Sequence, residues 1–231
     1  MLKKMADQSF WADFWTQKSQ ADTDFQATGR GTMDVVGYLY TVRECARVLD
    51  LQPEDELLDI GGGTGVFALS LSPFIKSIRS FDISPGSVKR AQGNLSDADN
   101  VSVDLGSITD IPVGDETCDK FLAYSVLQYL EGDDAVRQAL SETRRTLRPN
   151  GVGLLAANPD KDRYDAYIDR VCGDDPKARE AQYDLQKTLQ WFDVERLVKL
   201  AHEVGLEATV CPIHPRIWQS FYMFDLVVRR T

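Results

Sequence analysis

The stretch Leu57-Leu58-Asp59-Ile60-Gly61-Gly62-Gly63-Thr64-Gly65 is an apolar run closed by a cluster of glycines, and a helical pattern of apolar residues follows it. That succession reads as strand, tight turn, helix. Glycines at 61, 63 and 65 remove side chains where a ligand has to lie against the main chain. The next apolar run, Ile75 to Phe81, ends in Asp82, 17 residues beyond Gly65. This places a carboxylate at the tip of a second parallel strand. There it can accept hydrogen bonds from both hydroxyls of a ribose, each charge-assisted bond worth about 1.5–3 kcal/mol. Together the two features point to a cofactor that contains a nucleoside. A dinucleotide fingerprint begun at Gly61 needs a third glycine at position 66, where this chain carries Val66.

LLDIGGGTG followed by FDIS resembles the first two motifs of the class I S-adenosylmethionine-dependent methyltransferases. The resemblance continues through Val101–Pro112, Phe121–Leu130 and Leu147–Gly151, and covers about half of the chain. It implies an α/β fold built on a seven-stranded, Rossmann-like doubly wound sheet. Most strands would be parallel and the last antiparallel, with helices at the N-terminus and an insertion after strand five. Residues 1–52 then form a helical cap, 53–158 and 191–231 the cofactor-binding core, and 159–190 a lid-like insertion, all in one methyltransferase domain. S-adenosylmethionine is the implied cofactor, with Asp59, Gly61, Gly62, Gly63, Asp82, Ile83, Tyr124 and Ser125 in its site. In the family, the loop after the third strand holds the adenine, often with an Asp on its exocyclic amine. Here that position is Ser107, which can accept a hydrogen bond but carries no charge; the Ile108 N–H remains for a ring nitrogen. Tyr129 falls where many small-molecule members carry His.

The balance of charge narrows the partners. With 26 Lys and Arg against 36 Asp and Glu in 231 residues, the chain has a net charge of −10. Phosphate contacts need clusters of cations, and Lys3-Lys4 and Arg144-Arg145 are isolated pairs, so nucleic acid is disfavoured as a substrate. A small-molecule acceptor is expected instead. Cys45, Cys118, Cys172 and Cys211 are scattered, without Cys-x-x-Cys or His at ligand spacing, so no metal site is expected and the thiols read as reduced. The first residues lack an apolar signal core and no run approaches membrane-spanning length, which points to the cytoplasm.

Taken in order, Phe10, Trp11, Phe14 and Trp15 form an i, i+1, i+4, i+5 stripe on a short helix, either packed into the core or set as a lid over the substrate mouth. Arg30, between Gly29 and Gly31, is either a solvated loop residue or a bidentate partner for the methionine carboxylate of the cofactor. Thr32 reads as the N-cap of a helix from Met33 to about Asp50, with Val35, Leu39, Val42, Ala46 and Leu49 inward. Val66, Phe67, Leu69 and Leu71 read as a buried helix stopped by Pro73, and Ser84-Pro85 as the start of the next. Asp119–Tyr124 and Val152–Ala157 read as strands four and five. Two short helical patterns fill the insertion, split by Gly173-Asp174-Asp175-Pro176. Asp193 caps a last helix, and Leu206–Ile213 and Ser220–Arg229 form a final strand pair.

Methyl transfer asks chiefly for positioning, worth about 7–11 kcal/mol when donor and acceptor are held in attack geometry. A general base adds about 10²–10⁴-fold and matters only for hydroxyl or protonated amine acceptors. His214, in a loop, is the first candidate for that base and Tyr129 the second. A non-catalytic module that only holds the cofactor is the main alternative. A nicotinamide-dependent oxidoreductase is a weaker one, because Asp82 would serve a ribose there too while Val66 breaks the fingerprint.

Overall fold

The computed structural model describes residues 8–30 and 34–231. Three helices precede the sheet: α1 (Gln8–Lys18), α2 (Asp24–Ala27) and α3 (Val35–Leu49). The chain then runs through β1 (Glu56–Ile60), α4 (Val66–Leu71), β2 (Ser77–Asp82), α5 (Pro85–Asn94), β3 (Val101–Leu105), β4 (Cys118–Tyr124), α6 (Gly132–Thr146) and β5 (Leu147–Pro159). After α7 (Tyr164–Cys172), α8 (Pro176–Gln186) and α9 (Val194–Glu203) it closes with β6 (Glu207–Pro212) and β7 (Met223–Arg229). The strands form one seven-stranded sheet in the order β3-β2-β1-β4-β5-β7-β6. β1 to β5 are parallel, and β7 lies antiparallel between β5 and β6. This is the fold the resemblance implies, with the order reversing between β1 and β4, where open α/β sheets form a crevice.

Successive residues of a strand point to opposite faces, so a sheet covered on both sides needs apolar residues throughout its strands. Leu58, Ile60, Phe121 and Ala123 pack on one face against α6 and α9 through Val136, Leu140, Leu197 and Leu200. Leu57, Leu122 and Tyr124 face the other core, with Cys45, Leu49, Phe67 and Val88 from α3, α4 and α5. Leu57, Leu58, Phe121 and Leu122 are all fully buried. Truncating one of these leucines to alanine costs about 2–5 kcal/mol.

Helix α3 departs from its expected phase. It starts at Val35, with Asp34 as N-cap accepting from Gly37 N at 2.6 Å; Thr32 and Met33 lie outside the described residues. Its buried face is Tyr38, Thr41, Cys45 and Leu49, whereas Val35 and Leu39 are exposed. Polar anchoring outranks the apolar count here. The Tyr38 hydroxyl donates to Val66 O at 2.6 Å and shares a hydrogen bond with Ser70 Oγ. Thr41 satisfies its own hydroxyl on Gly37 O and can be buried at little cost.

Leu69 is also exposed, because α4 is a short helix continued by a 3-10 turn over Ser72–Phe74. Strand β5 is longer than the expected Val152–Ala157. Leu147 pairs with Cys118 ahead of a register shift, and a second irregularity between Leu155 and Asn158 puts Ala157 at φ 56°. Ser220 belongs to a 3-10 turn, Trp218–Phe221, so the last strand begins at Met223.

Caps tie the outer helices to the core. Arg90 of α5 binds Asp24 at 2.8 Å, and Thr16 of α1 meets Ser84, the N-cap of α5, at 3.0 Å. The 160–190 segment rests on an aromatic cluster: Tyr167 lies 4.6 Å from Tyr222, and Tyr164 4.8 Å from Trp191, centroid to centroid. No helix among the described residues is long and apolar enough to cross a membrane.

Candidate active site

The glycine turn leaves β1 and crosses to β2: Gly61 N and Gly62 N both donate to Phe81 O, at 2.7 and 3.2 Å. Gly61 and Gly63 have φ of 72° and 60°, a region that a side chain makes costly. The turn opens onto a cavity of about 240 Å³ at the carboxyl ends of the central strands. Asp82 stands at the tip of β2, buried, accepting from Gly63 N and Ser84 N at 2.9 Å each. Burial raises its carboxyl above the ordinary range, against the lowering effect of those N–H groups.

The cavity collects most of the residues singled out by sequence. Arg30, Gly61, Gly63, Asp82, Ile83, Ser107, Ile108, Tyr124, Ser125 and Tyr129 all line it. The Arg30 guanidinium lies 5.0 Å from the Tyr124 ring centre and 5.4 Å from that of Phe67, with no carboxylate partner among the described residues. Ser107 Oγ is already engaged, accepting from Thr109 N at 3.2 Å and meeting Thr109 Oγ1 at 2.9 Å. Ser125 follows β4 with φ 61°, a conformation that costs a non-glycine residue about 1–3 kcal/mol, and its Oγ accepts from Gln128 Nε2 at 3.0 Å.

Asp59 and Gly62 stand behind the turn rather than in the cavity. In the β1–β2 register Asp59 faces Ser80, whose hydroxyl donates to it at 3.0 Å. Burial pushes the Asp59 carboxyl up to about 6. A Cβ on Gly62 would stand 2.0 Å from Ser80 Oγ, so that glycine makes room for this buried pair. His214 is not brought to the cavity either. Its ring stacks on Tyr40 of α3 at 5.0 Å, and its Nδ1 accepts from Arg216 N at 3.2 Å, so the loop after β6 closes over α3.

Tyr129 sits in the cavity wall beneath α1, its ring 4.6 Å from Trp11 and 5.7 Å from Trp15. Burial pushes its hydroxyl up to about 12, so near neutral pH it is a donor and not a base. Trp11 and Trp15 line the same space, which gives the N-terminal stripe the role of a roof. Sequence reasoning overlooked Gln128, Gln219, Tyr222 and Met223, which complete the wall. Gln128 lay inside a recognised motif, Phe121–Leu130, but was given no role there. Tyr222 and Met223 fell inside Ser220–Arg229, which read as strand throughout, and Gln219 lies just before it.

The geometry, a glycine turn and a carboxylate on adjacent strand tips at the point of reversal, agrees with what comparison finds. A family model described as a methyltransferase domain matches residues 58–155. An uncharacterized 37.1 kDa protein from a Streptomyces fradiae transposon is 36% identical over 118 residues, 49% of this chain and 33% of that protein. Demethylmenaquinone methyltransferase of Tropheryma whipplei is 22% identical over 179 residues, 72% of each chain. Among solved structures, N-methyltransferase NodS of Bradyrhizobium japonicum, in complex with S-adenosylhomocysteine, superposes with TM-score 0.65 at 17% identity, over 95% of this chain and 97% of that one. Over residues 58–155, less than half of its length, this chain is similar to that methyltransferase-domain family. It spans about a third of the first of these relatives.

Proposed function

We propose that this protein transfers the methyl group of S-adenosylmethionine to a hydroxyl or amine of a small molecule held in the cavity. The observation that carries the proposal is the buried Asp82 carboxylate, fixed by Gly63 N–H and Ser84 N–H on one wall of the same cavity that holds Arg30, which has no carboxylate partner among the described residues. A ribose, a carboxylate and an adenine match this donor set: Asp82 would accept from the ribose hydroxyls, Arg30 would hold the carboxylate, and the 107–108 loop would take the base. When bound, S-adenosylmethionine supplies a methyl carbon activated by a sulfonium, the carbon–sulfur pair staying with sulfur as the acceptor's lone pair takes the methyl.

The chain's own contribution is to bind, orient and exclude water. Among the described residues lining the cavity there is neither His nor Lys, and Tyr129 keeps its proton. The acceptor therefore brings its own lone pair, as a neutral amine or an acidic hydroxyl, and its proton leaves to solvent. Thermal shift with S-adenosylmethionine, S-adenosylhomocysteine, NAD and NADP tests the cofactor; stabilisation by the first two supports the reading, and stabilisation by NAD instead would favour an oxidoreductase. Release of S-adenosylhomocysteine from a panel of hydroxyl and amine acceptors tests turnover. Tight cofactor binding with no acceptor accepted would favour a non-catalytic module.

A further inference from the structure

The strand order divides the cavity. β2 and β3 lie on one side of β1, and β4, β5 and β7 on the other. Asp82 and the 107–108 loop belong to the first side, and Gln128, Gln219, Tyr222 and Met223, which follow β4, precede β7 or begin it, to the second. Among the described residues the lining includes one cation, Arg30, and one carboxylate, Asp82, and both are taken up by the cofactor in the reading above. What the second side offers is uncharged. Gln128, 6% exposed, gives one end of its amide to Ser125 Oγ, and the other end has no partner. One end of the Gln219 amide, Oε1, is likewise buried without a partner. A buried amide atom left unpaired costs stability unless a ligand pairs with it.

We propose that this second side selects an uncharged acceptor that presents hydrogen-bond donors to the Gln128 and Gln219 amides and an apolar body to Tyr222 and Met223. This rests on the methyltransferase reading and names the substrate class of that same site. An anionic acceptor would be buried there without a cation to pair with, a large penalty. A cationic amine has no lone pair to take a methyl group and would face a sulfonium of like charge. The wall is also held in place from outside. Gln190 N donates to Gln128 O and Asp160 N to Tyr222 O, both at 2.9 Å, so the two ends of the 160–190 segment clip the main chain of two selecting residues.

The test uses the full chain saturated with S-adenosylhomocysteine, whose binding is first measured by calorimetry. Failure at that stage overturns the methyltransferase reading itself, and the acceptor class with it. Ligand-observed NMR then measures the affinity of matched phenyl compounds: phenol, aniline and benzyl alcohol against benzoate, phenyl phosphate and benzylammonium, with toluene as the apolar reference. The neutral donors should bind at least ~10-fold more tightly than the charged compounds. Gln128→Leu and Gln219→Leu should each weaken them ~10-fold and leave toluene unchanged or tighter. With S-adenosylhomocysteine bound, three results overturn the proposal: a charged compound binding as tightly as phenol, neutral donors indifferent to both substitutions, or none of the phenyl compounds binding.

Discussion

The main-chain N–H of Gly63 donates to Oδ2 of Asp82 at 2.9 Å, joining the turn after β1 to the tip of β2. A carboxylate has about four lone-pair sites, so Asp82 can brace this turn and still accept from a ligand. Removing it acts on both. Asp82→Ala should lower affinity for S-adenosylhomocysteine at least ~100-fold, the loss of two charge-assisted bonds. Calorimetry on the wild type and variant reads this directly, with the melting temperature of the ligand-free variant reporting how much the turn itself has loosened.

Arg30 gives a prediction with its own internal control. Its guanidinium lies over Phe67 and Tyr124 without a carboxylate partner among the described residues. Arg30→Ala should weaken S-adenosylhomocysteine about 10-fold but leave 5′-methylthioadenosine unchanged, because only the former carries the carboxylate. Equal losses for both ligands would place Arg30 at the nucleoside instead.

Asp59 makes stability depend on pH. Its carboxyl is held up at about 6 by burial, against an ordinary value of 3.8. Folding therefore takes up a proton between about pH 4 and 6, and the protein loses stability as pH rises through that window. Asp59→Asn removes the penalty. The variant should melt close to wild type at pH 4 and gain up to about 3 kcal/mol above pH 6. A difference that does not change with pH would show that the carboxyl ionises normally in the fold.

The two side chains first considered as bases separate in the structure. His214 lies on α3 against Tyr40, outside the cavity. His214→Ala should leave both cofactor binding and turnover within about twofold of wild type. Tyr129 is in the wall but protonated, so Tyr129→Phe should leave the pH dependence of turnover unshifted while changing the affinity for acceptor.

Much of this was legible in the chain because parallel strands announce themselves. Leu57–Ile60 and Phe121–Tyr124 are buried on both faces and so are apolar, save for Asp59, and glycine at 61 and 63 answers a backbone with positive φ. The side of the cavity that holds Asp82 and the glycine turn follows from those local rules. The face of α3 was misread because a hydrogen bond from Tyr38 to Val66, 28 residues away, decides its rotation. The wall formed by Gln128 and Gln219 was hidden for a similar reason. Gln128 and Gln219 lie in 3-10 turns whose inward side is set by tertiary packing, and no periodicity in the sequence marks an amide as inward. His214 misled in the opposite direction, since a loop position says nothing about which side of the sheet the loop covers.

A crystal structure of the complex with S-adenosylhomocysteine tests the central claim most directly. The account predicts the ribose hydroxyls within hydrogen-bond distance of Asp82, the amino-acid carboxylate at Arg30 and the sulfur facing the side of the cavity bounded by Gln128 and Tyr222. A nucleoside bound away from Asp82, or a sulfur turned from that wall, would contradict it.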